Sequence, residues 1–252
     1  IYYFNKIFKE VVYILNNHHD EKFSERQWMI MIGKYIYEFI CLVINRYDNL
    51  ERAIKNNEIE SSSFYNIDHY DLSCSDCANF HEICDKNLWN NAIYFRLLNY
   101  LDNNLKKFSL KHEYKKYNKK RKNNFVKNFI KKNYTLIFKN KILNSKSFIS
   151  NTYLRKKDEF KLLYLFRQPP IFLEYDVDFN STNFSLRDDL GKMLLKNNEK
   201  NLENAIRGVF FQVFPNIYLE SFAKLKNSLN KSILPKNPKL IFNSNDYFEN
   251  EL

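Results

Sequence analysis

Glycine is scarce in this sequence: only three glycines occur in 252 residues, against an ordinary share of about 7%. Gly33, Gly191 and Gly208 lie far apart, so neither GxGxxG nor GxxxxGK[ST] can be built from them. Such loops cradle phosphates where a strand turns into a helix. These 252 residues therefore contain no phosphate-binding loop of the Rossmann or P-loop kind.

Several other signatures are also missing. No basic segment followed by an apolar run and a small-residue cleavage site is present, and no GxSxG, HExxH or paired-carboxylate motif occurs. The most apolar stretch, residues 28–44, carries Lys34 and Glu38 and is short for a membrane span. We interpret it as a core helix and predict a cytoplasmic protein. Because the chain starts at Ile1 and stops within a predicted strand–loop–helix unit, we expect it to be part of a longer protein.

The composition is that of a folded domain, with 44% hydrophobic and 17% aromatic residues. The positive charge is concentrated in one segment, Lys111–Lys132, which holds ten Lys or Arg and one Glu and carries +9 of the net +11. Such a segment can be merely solvated, or can contact nucleic acid, anionic lipid or a phosphorylated small molecule. Nucleic acid is disfavoured as the partner, because no zinc-finger or RRM signature accompanies the charge.

Three of the four cysteines fall in one short segment together with a histidine. Cys74, Cys77, His81 and Cys84 supply the atoms of a Cys3His zinc site. Spacings of 3, 4 and 3 predict one stripe of a helix, which would place the first and last thiols about 15 Å apart. Four ligands on one ion need bonds of about 2.0–2.3 Å. We therefore expect buried thiols on a helix face and no metal, and zinc remains the alternative.

Hydrophobic periodicity predicts mostly helices with a few short strands, a helix-rich α/β architecture. The clearest helix follows Ser24, which with Gln27 forms a capping box. Other predicted helices cover residues 1–16, 87–104, a segment capped by Ser185, and two segments between Leu202 and Leu229. Strands are predicted at residues 134–138, 147–153, 161–166 and 239–242, and residues 60–71 are predicted to be a polar connection.

Three segments, residues 15–50, 214–229 and 234–252, together resemble a bacterial family of transferases from surface-carbohydrate loci, those of O-antigen (lipopolysaccharide) and capsule. The resemblance rests on the Ser-Glu-Arg-x-Trp start of the long helix, a Pro-x-x-Tyr-Leu-Glu segment and the Pro-Lys-Leu-Ile-Phe-x-Ser-Asn strand. It covers a quarter to a third of the chain. Members have Gly-Pro-Trp-Leu where this chain has Gly33-Lys34-Tyr35-Ile36, and Asp-Arg where it has Asn45-Arg46.

The resemblance implies a glycosyltransferase in which this chain forms the Rossmann-like N-terminal part of a two-domain, GT-B-like protein. Residues 1–232 would be the acceptor side, and residues 233–252 would begin a following α/β unit. The full-length protein would take a nucleotide-sugar donor and a saccharide or lipid-linked acceptor, whereas no cofactor is expected in this part, which is expected to be inactive alone. Lys111–Lys132 would then touch the inner face of the membrane.

Five residues are the candidates for chemistry. Glycosyl transfer needs a base for the acceptor hydroxyl, and His19 is the base that we would test first. Arg26, Arg46, Ser244 and Asn245 are the candidate substrate-binding residues, the last two because ligands bind where a strand of an α/β sheet ends. The alternative function is a non-enzymatic module that uses the basic segment to bind nucleic acid or an anionic surface.

Overall fold

The computed structural model describes residues 1–56, 59, 61–65, 70–101, 106–110, 133–150, 152–171, 180–197 and 199–243. It confirms the predicted helix-rich α/β class. The chain divides into two compact units. The first unit comprises residues 1–114, 178–223 and 251–252, and the second comprises residues 115–177 and 224–250. Each unit is described by itself.

The described helices are α1 Tyr2–His19, α2 Glu25–Asn56, α3 Cys77–Ile83, α4 Asn87–Leu97, α5 Lys139–Leu143, α6 Lys156–Leu165, α7 Phe184–Leu194, α8 Leu202–Val213 and α9 Phe222–Lys231. Single 3-10 turns cover Leu98–Tyr100 and Asn216–Tyr218. The described strands are β1 Ser61–Tyr65, β2 Lys106–Leu110, β3 Ser147–Ser150 and β4 Leu240–Asn243. They form two parallel pairs, β1 with β2 and β3 with β4.

The junction between α1 and α2 is built from local hydrogen bonds. Asp20 ends α1 in the left-handed conformation, with φ at 52°, and the Glu21 N–H donates to the Asn16 carbonyl at 2.9 Å, as a Schellman end requires. The predicted capping box at the start of α2 is confirmed. The Ser24 N–H donates to Gln27 Oε1 at 2.8 Å, and the Gln27 N–H donates to Ser24 Oγ at 3.3 Å.

The core of the first unit lies where α2 packs against α1, α4 and α8. Its centre is a group of aromatic rings in edge-to-face and tilted pairs, with centroids 5.1 to 6.2 Å apart. The group consists of Tyr35, Phe39, Phe80, Trp89, Phe210 and Phe214, all at most 2% exposed. Packing of this kind adds to the free energy of burial, because the ring edges and faces attract one another.

A buried arginine also joins α1, α7 and α8. The Arg207 side chain is fully buried, and its guanidinium donates to the carboxylates of Glu10 and Glu203 and to the Leu194 carbonyl. Lys196 lies 3.1 Å from the carboxylate of Glu10. Removing a charge from water costs free energy unless hydrogen-bonding and oppositely charged groups surround it. The two carboxylates and the Leu194 carbonyl surround the Arg207 guanidinium in this way.

The second unit holds β3, β4, α5 and α6. Beside β3 lies Gln168, whose side-chain amide accepts from the Ile149 N–H at 2.8 Å and donates to the Ile149 carbonyl at 2.9 Å. The 4%-exposed Gln168 side chain thus makes the two bonds that a neighbouring strand would make. All four residues of β4 are exposed.

Several secondary-structure predictions were wrong. Residues 133–137 are helical, and residues 161–165 belong to α6, because a short apolar run does not by itself distinguish a strand from a helix. The predicted connection at residues 60–71 contains β1. Asn183, not Ser185, caps α7, since its side chain accepts from the Leu186 N–H at 3.1 Å. The predicted strand at residues 147–153 ends at Ser150.

Among the described residues, α2 is the one helix long and apolar enough to cross a membrane, judged by length and composition. Its apolar stripe is nevertheless buried inside the first unit, through Trp28, Ile32, Tyr35, Ile36, Phe39 and Val43. This burial is what a core helix of a globular unit shows, and it agrees with the core helix predicted for residues 28–44.

Candidate functional site

The end of α1, the start of α2 and the Asn216–Tyr218 turn meet at one place in the first unit. Asn16 fixes the connection: its side chain accepts from the Phe23 N–H at 3.2 Å and from Trp28 Nε1 at 2.9 Å, and donates to the Phe23 carbonyl at 2.9 Å. Two of the segments that carry the family resemblance, residues 15–50 and 214–229, thus come together here. We call this place the α1–α2 junction site.

His19 lies at the centre of the junction site. Its Nε2 is 3.0 Å from the Tyr218 carbonyl oxygen, and a carbonyl oxygen only accepts. The proton of the neutral ring is therefore on Nε2 and the lone pair on Nδ1, because the hydrogen bond of one nitrogen sets the tautomer. The half-buried ring also packs against Phe222, with centroids 4.4 Å apart.

His18 precedes His19, with ring centroids 4.7 Å apart. Partial removal from water lowers the pKa of His18, and the negative charge of Glu220 opposes that change in part. His18 is the more exposed of the two side chains. It therefore offers a matched comparison for His19: the same residue type, one position away, with a different environment.

Glu220, whose charge acts on His18, belongs to an ion pair that was not predicted from the sequence. Arg187 Nε donates to Glu220 Oε1 at 2.6 Å and Nη2 donates to Oε2 at 2.7 Å, with side chains 2% and 4% exposed. Arg187 Nη1 also donates to the carbonyls of Phe211 and Phe214 at 2.6 and 2.8 Å. It thereby satisfies carbonyls that the end of α8 leaves without helical partners.

The ion pair continues into a network of uncharged and acidic groups. Arg187 Nη2 donates to Asn216 Oδ1 at 2.9 Å, and Asn216 Nδ2 donates to the Asn180 carbonyl at 3.2 Å. Thr182 Oγ1 donates to Asp71 Oδ2 at 2.7 Å, and Ser73 Oγ lies 2.6 Å from Asp71 Oδ1. The two bonds of the Asn216 side chain hold the 3-10 turn, and with it the Tyr218 carbonyl that contacts His19.

The arginines predicted from the sequence lie at different places on α2. Arg26 is exposed in the first turn of the helix, at the junction site. Arg46 is twenty residues further along, about 30 Å at the rise of an α-helix. There its Nε donates to Asn90 Oδ1 at 2.9 Å and Nη1 to Asn45 Oδ1 at 2.8 Å. The structure therefore brings Arg26, but not Arg46, to the same end of α2 as His19.

The remaining predicted binding residues, Ser244 and Asn245, lie outside the described residues, as does the basic segment Lys111–Lys132. The strand that precedes Ser244 and Asn245 is β4. Its last residue, Asn243, pairs in register with Ser150. The predicted division at residues 232 and 233 stays a prediction.

The cysteines do not form the single helical stripe expected from their spacing. α3 begins at Cys77 behind an Asp76 cap, so Cys74 precedes the helix, where its buried thiol lies 3.3 Å from the Val213 carbonyl. His81 Nε2 is 3.3 Å from Glu38 Oε2. Burial and the neighbouring Asp85 raise the pKa of the Cys84 thiol. No group of three or more metal-binding side chains occurs among the residues that the structure describes.

The sequence does carry a sign that Arg187 is buried. Arg187, Leu190, Gly191 and Leu194 form the buried i, i+3, i+4, i+7 stripe of α7. An arginine on such a stripe needs buried partners. Glu220 supplies them from the Pro-x-x-Tyr-Leu-Glu segment, but the sequence does not show which acid pairs with it.

The comparisons with known proteins place this chain among transferases. A family model described as "LIC12162 family transferase" matches residues 2–252. The chain belongs to the LIC12162 family of transferases. No curated protein and no solved structure gives a significant match.

Proposed function

We propose that this chain is the acceptor-side part of a glycosyltransferase of surface-polysaccharide (O-antigen or capsule) synthesis. The full-length enzyme would move a sugar from a nucleotide-activated donor to a saccharide or lipid-linked acceptor. The family supports a transferase, and the three resembling segments support the sugar chemistry. In this proposal the protein has two Rossmann-like halves in a GT-B-like arrangement and works in the cytoplasm, at the inner face of the membrane.

One observation carries the chemical part of the proposal: the Tyr218 carbonyl 3.0 Å from His19 Nε2. In the neutral ring this bond places the proton on Nε2 and the lone pair on Nδ1, and a general base accepts its proton through such a lone pair. A base held by a third group is the arrangement found in many transferases and hydrolases that activate a nucleophile. Here the Arg187–Glu220 pair and Asn216 hold the turn that supplies the carbonyl.

The reaction that we propose uses His19 in the following way. Nδ1 takes the proton of the acceptor hydroxyl while the acceptor oxygen forms a bond to the anomeric carbon of the donor sugar. The bond between that carbon and the nucleoside diphosphate breaks, and the diphosphate leaves with the electron pair. Arg26, exposed at the same end of α2, is the candidate contact for a negatively charged acceptor or leaving group.

The test is a transfer assay with the full-length protein. Purified protein is incubated with UDP-, GDP- and dTDP-linked hexoses and a lipid extract from the source cells, and mass spectrometry looks for a glycosylated lipid or saccharide. A product that appears with one donor and requires the acceptor supports the proposal. Absence of any sugar transfer across the donor set, by protein that is folded, overturns it.

The second candidate is a binding module built on Lys111–Lys132, favoured by the concentration of +9 in that segment. Neutralising phosphates with lysine and arginine releases counterions, so affinity falls steeply with salt. Tight polynucleotide binding with a steep salt slope, and no sugar transfer, would favour this module over the enzyme.

A further inference from the structure

The second unit contains an open pocket of about 530 Å³ between the ends of two helices. Among the residues that the structure describes, its lining consists of Asn140, Lys141, Asn144, Ser145, Lys146, Phe166 and Arg167. Three of these described lining residues are cationic and none is acidic. The volume is in the range of small-molecule sites. Pockets of one charge sign concentrate ligands of the opposite sign, so the lining favours an anion.

Arg167 is the residue that makes this pocket unusual. Its φ is 52°, in the left-handed region that a residue with a Cβ seldom occupies, because its Cβ crowds the backbone there. It occupies the position after α6 where glycine is the usual choice: the Arg167 N–H donates to the Tyr164 carbonyl and the Gln168 N–H to the Leu163 carbonyl, at 3.0 and 2.9 Å. α1 ends in the same motif, but with Asp20, a residue type that tolerates this conformation.

The structure around Arg167 holds the strained backbone in place. The next residue, Gln168, is bound through its side-chain amide to both backbone groups of Ile149. Backbone strain of this kind persists where neighbouring contacts impose it, and it is most common at functional sites such as ligand-binding sites. Arg167, which stands where glycine is expected and lines this cationic pocket, is a residue of this kind.

The other lining residues define what the anion carries. Phe166, directly before Arg167, is 41% exposed and offers a ring face or edge to an apolar or aromatic group. Lys141 and Lys146 add two mobile ammonium groups, which suit phosphate oxygens as point charges. The pocket therefore combines at least three positive charges with one apolar contact.

We propose that this pocket binds an organic diphosphate, with Arg167, Lys141 and Lys146 on the phosphates and Phe166 against the group that they carry. The diphosphate could belong to a nucleotide or to an isoprenoid lipid, and the chemistry of recognition is the same for both. The inference uses the second unit alone and does not depend on the proposed transferase activity.

The test is isothermal titration calorimetry of the full chain with three probes: inorganic pyrophosphate, UDP and farnesyl diphosphate. We expect at least one organic diphosphate to bind more tightly than pyrophosphate. Phe166→Ala should remove that advantage and leave pyrophosphate binding within about twofold, because the ring contacts only the organic part. The probe that gains most from Phe166 identifies the source, nucleotide or lipid.

Arg167→Gly separates binding from folding. Glycine accepts the left-handed backbone, so the melting temperature should stay the same or rise, while affinity for the organic diphosphate falls about tenfold, the loss of one charge-assisted hydrogen bond. Lys141→Gln should weaken binding similarly, whereas Lys139→Gln, the same charge change on α5 outside the lining, should leave it within twofold. Wild-type affinity in Arg167→Gly, or no binding of any probe to the unaltered chain, would overturn the proposal.

Discussion

Arg187 and Glu220 form a two-pronged ion pair that is almost entirely excluded from water, with N–O distances of 2.6 and 2.7 Å. The pair joins α7 to the segment after α8 and supports the turn that orients His19. A buried pair is weak evidence for net stability, but breaking one is costly, because the remaining charge has no partner.

Glu220→Gln should therefore lower the free energy of unfolding by about 3–5 kcal/mol, measured by urea denaturation at pH 7. The control is Asp189→Asn, which removes the acidic partner of an exposed pair on the same unit, Lys192–Asp189, with side chains 75% and 67% exposed. We expect the control to change stability by no more than about 0.5 kcal/mol. Equal, small effects of the two substitutions would contradict a structural role for Glu220.

Gly208 and Gly191 should respond in opposite ways to alanine. A Cβ on Gly208 would clash with the Oη and Cζ of Tyr100, whereas a Cβ on Gly191 meets nothing within 4 Å. Gly208→Ala should cost about 1–3 kcal/mol through overpacking, and Gly191→Ala should gain up to about 1 kcal/mol of helix propensity.

The double variant Gly208→Ala/Tyr100→Ala checks the cause. In the Tyr100→Ala background the alanine at 208 should cost less, which a double-mutant cycle of thermal or urea unfolding measures. If Gly208→Ala were as stable as the unaltered chain, the close approach of Tyr100 to α8 would be wrong.

The Arg207 network predicts a dependence of stability on pH. Burial opposes ionisation of Glu10 and Glu203, but hydrogen bonds from Arg207, Lys196 and Lys6 outweigh it and lower both pKa values. Below an unfolded pKa of about 4.5 the unfolded chain then binds more protons than the folded chain. The contribution of these two carboxylates to the free energy of unfolding is therefore complete above that pH. It is lost as the pH falls through their pKa values in the folded chain, which are lower than those in the unfolded chain.

Arg207→Met should make this loss smaller, since it removes the cation that both carboxylates share. Urea unfolding at pH 7, 5, 4 and 3 would show a shallower decline for the variant than for the unaltered chain. Lys192→Met, at the exposed pair on α7, should keep the full decline. An identical decline in Arg207→Met would mean that Arg207 does not set the two pKa values.

What the sequence revealed about the fold depends on how local each signal is. The capping box at Ser24 and Gln27 spans four residues, so its hydrogen bonds could be predicted and are confirmed. α6 was mistaken for a strand, although Asp158 and Glu159 in its first turn are placed as a helix start favours. β1 was missed because its partner, β2, is more than 40 residues away and its own composition is polar.

The candidate site could be predicted only in part, for a similar reason. His19 was identified by its residue type and its place before a long helix, and its carbonyl partner lies 199 residues away in sequence. The buried Arg187–Glu220 pair was not predicted, because pairing across 33 residues is decided by how α7 and α8 pack. Arg46 shares a helix with Arg26, and only the length of α2 shows that the two are far apart.

The central claim is that His19 acts as the base of a sugar-transfer reaction, and His19→Gln in the full-length protein tests it most directly. Glutamine can still donate a hydrogen bond to the Tyr218 carbonyl but cannot accept a proton, so folding should be kept. With the donor and acceptor found by the transfer assay, we expect kcat to fall about 10²- to 10⁴-fold, an unchanged melting temperature, and His18→Gln within about twofold of the unaltered enzyme. Wild-type kcat in His19→Gln would contradict the account.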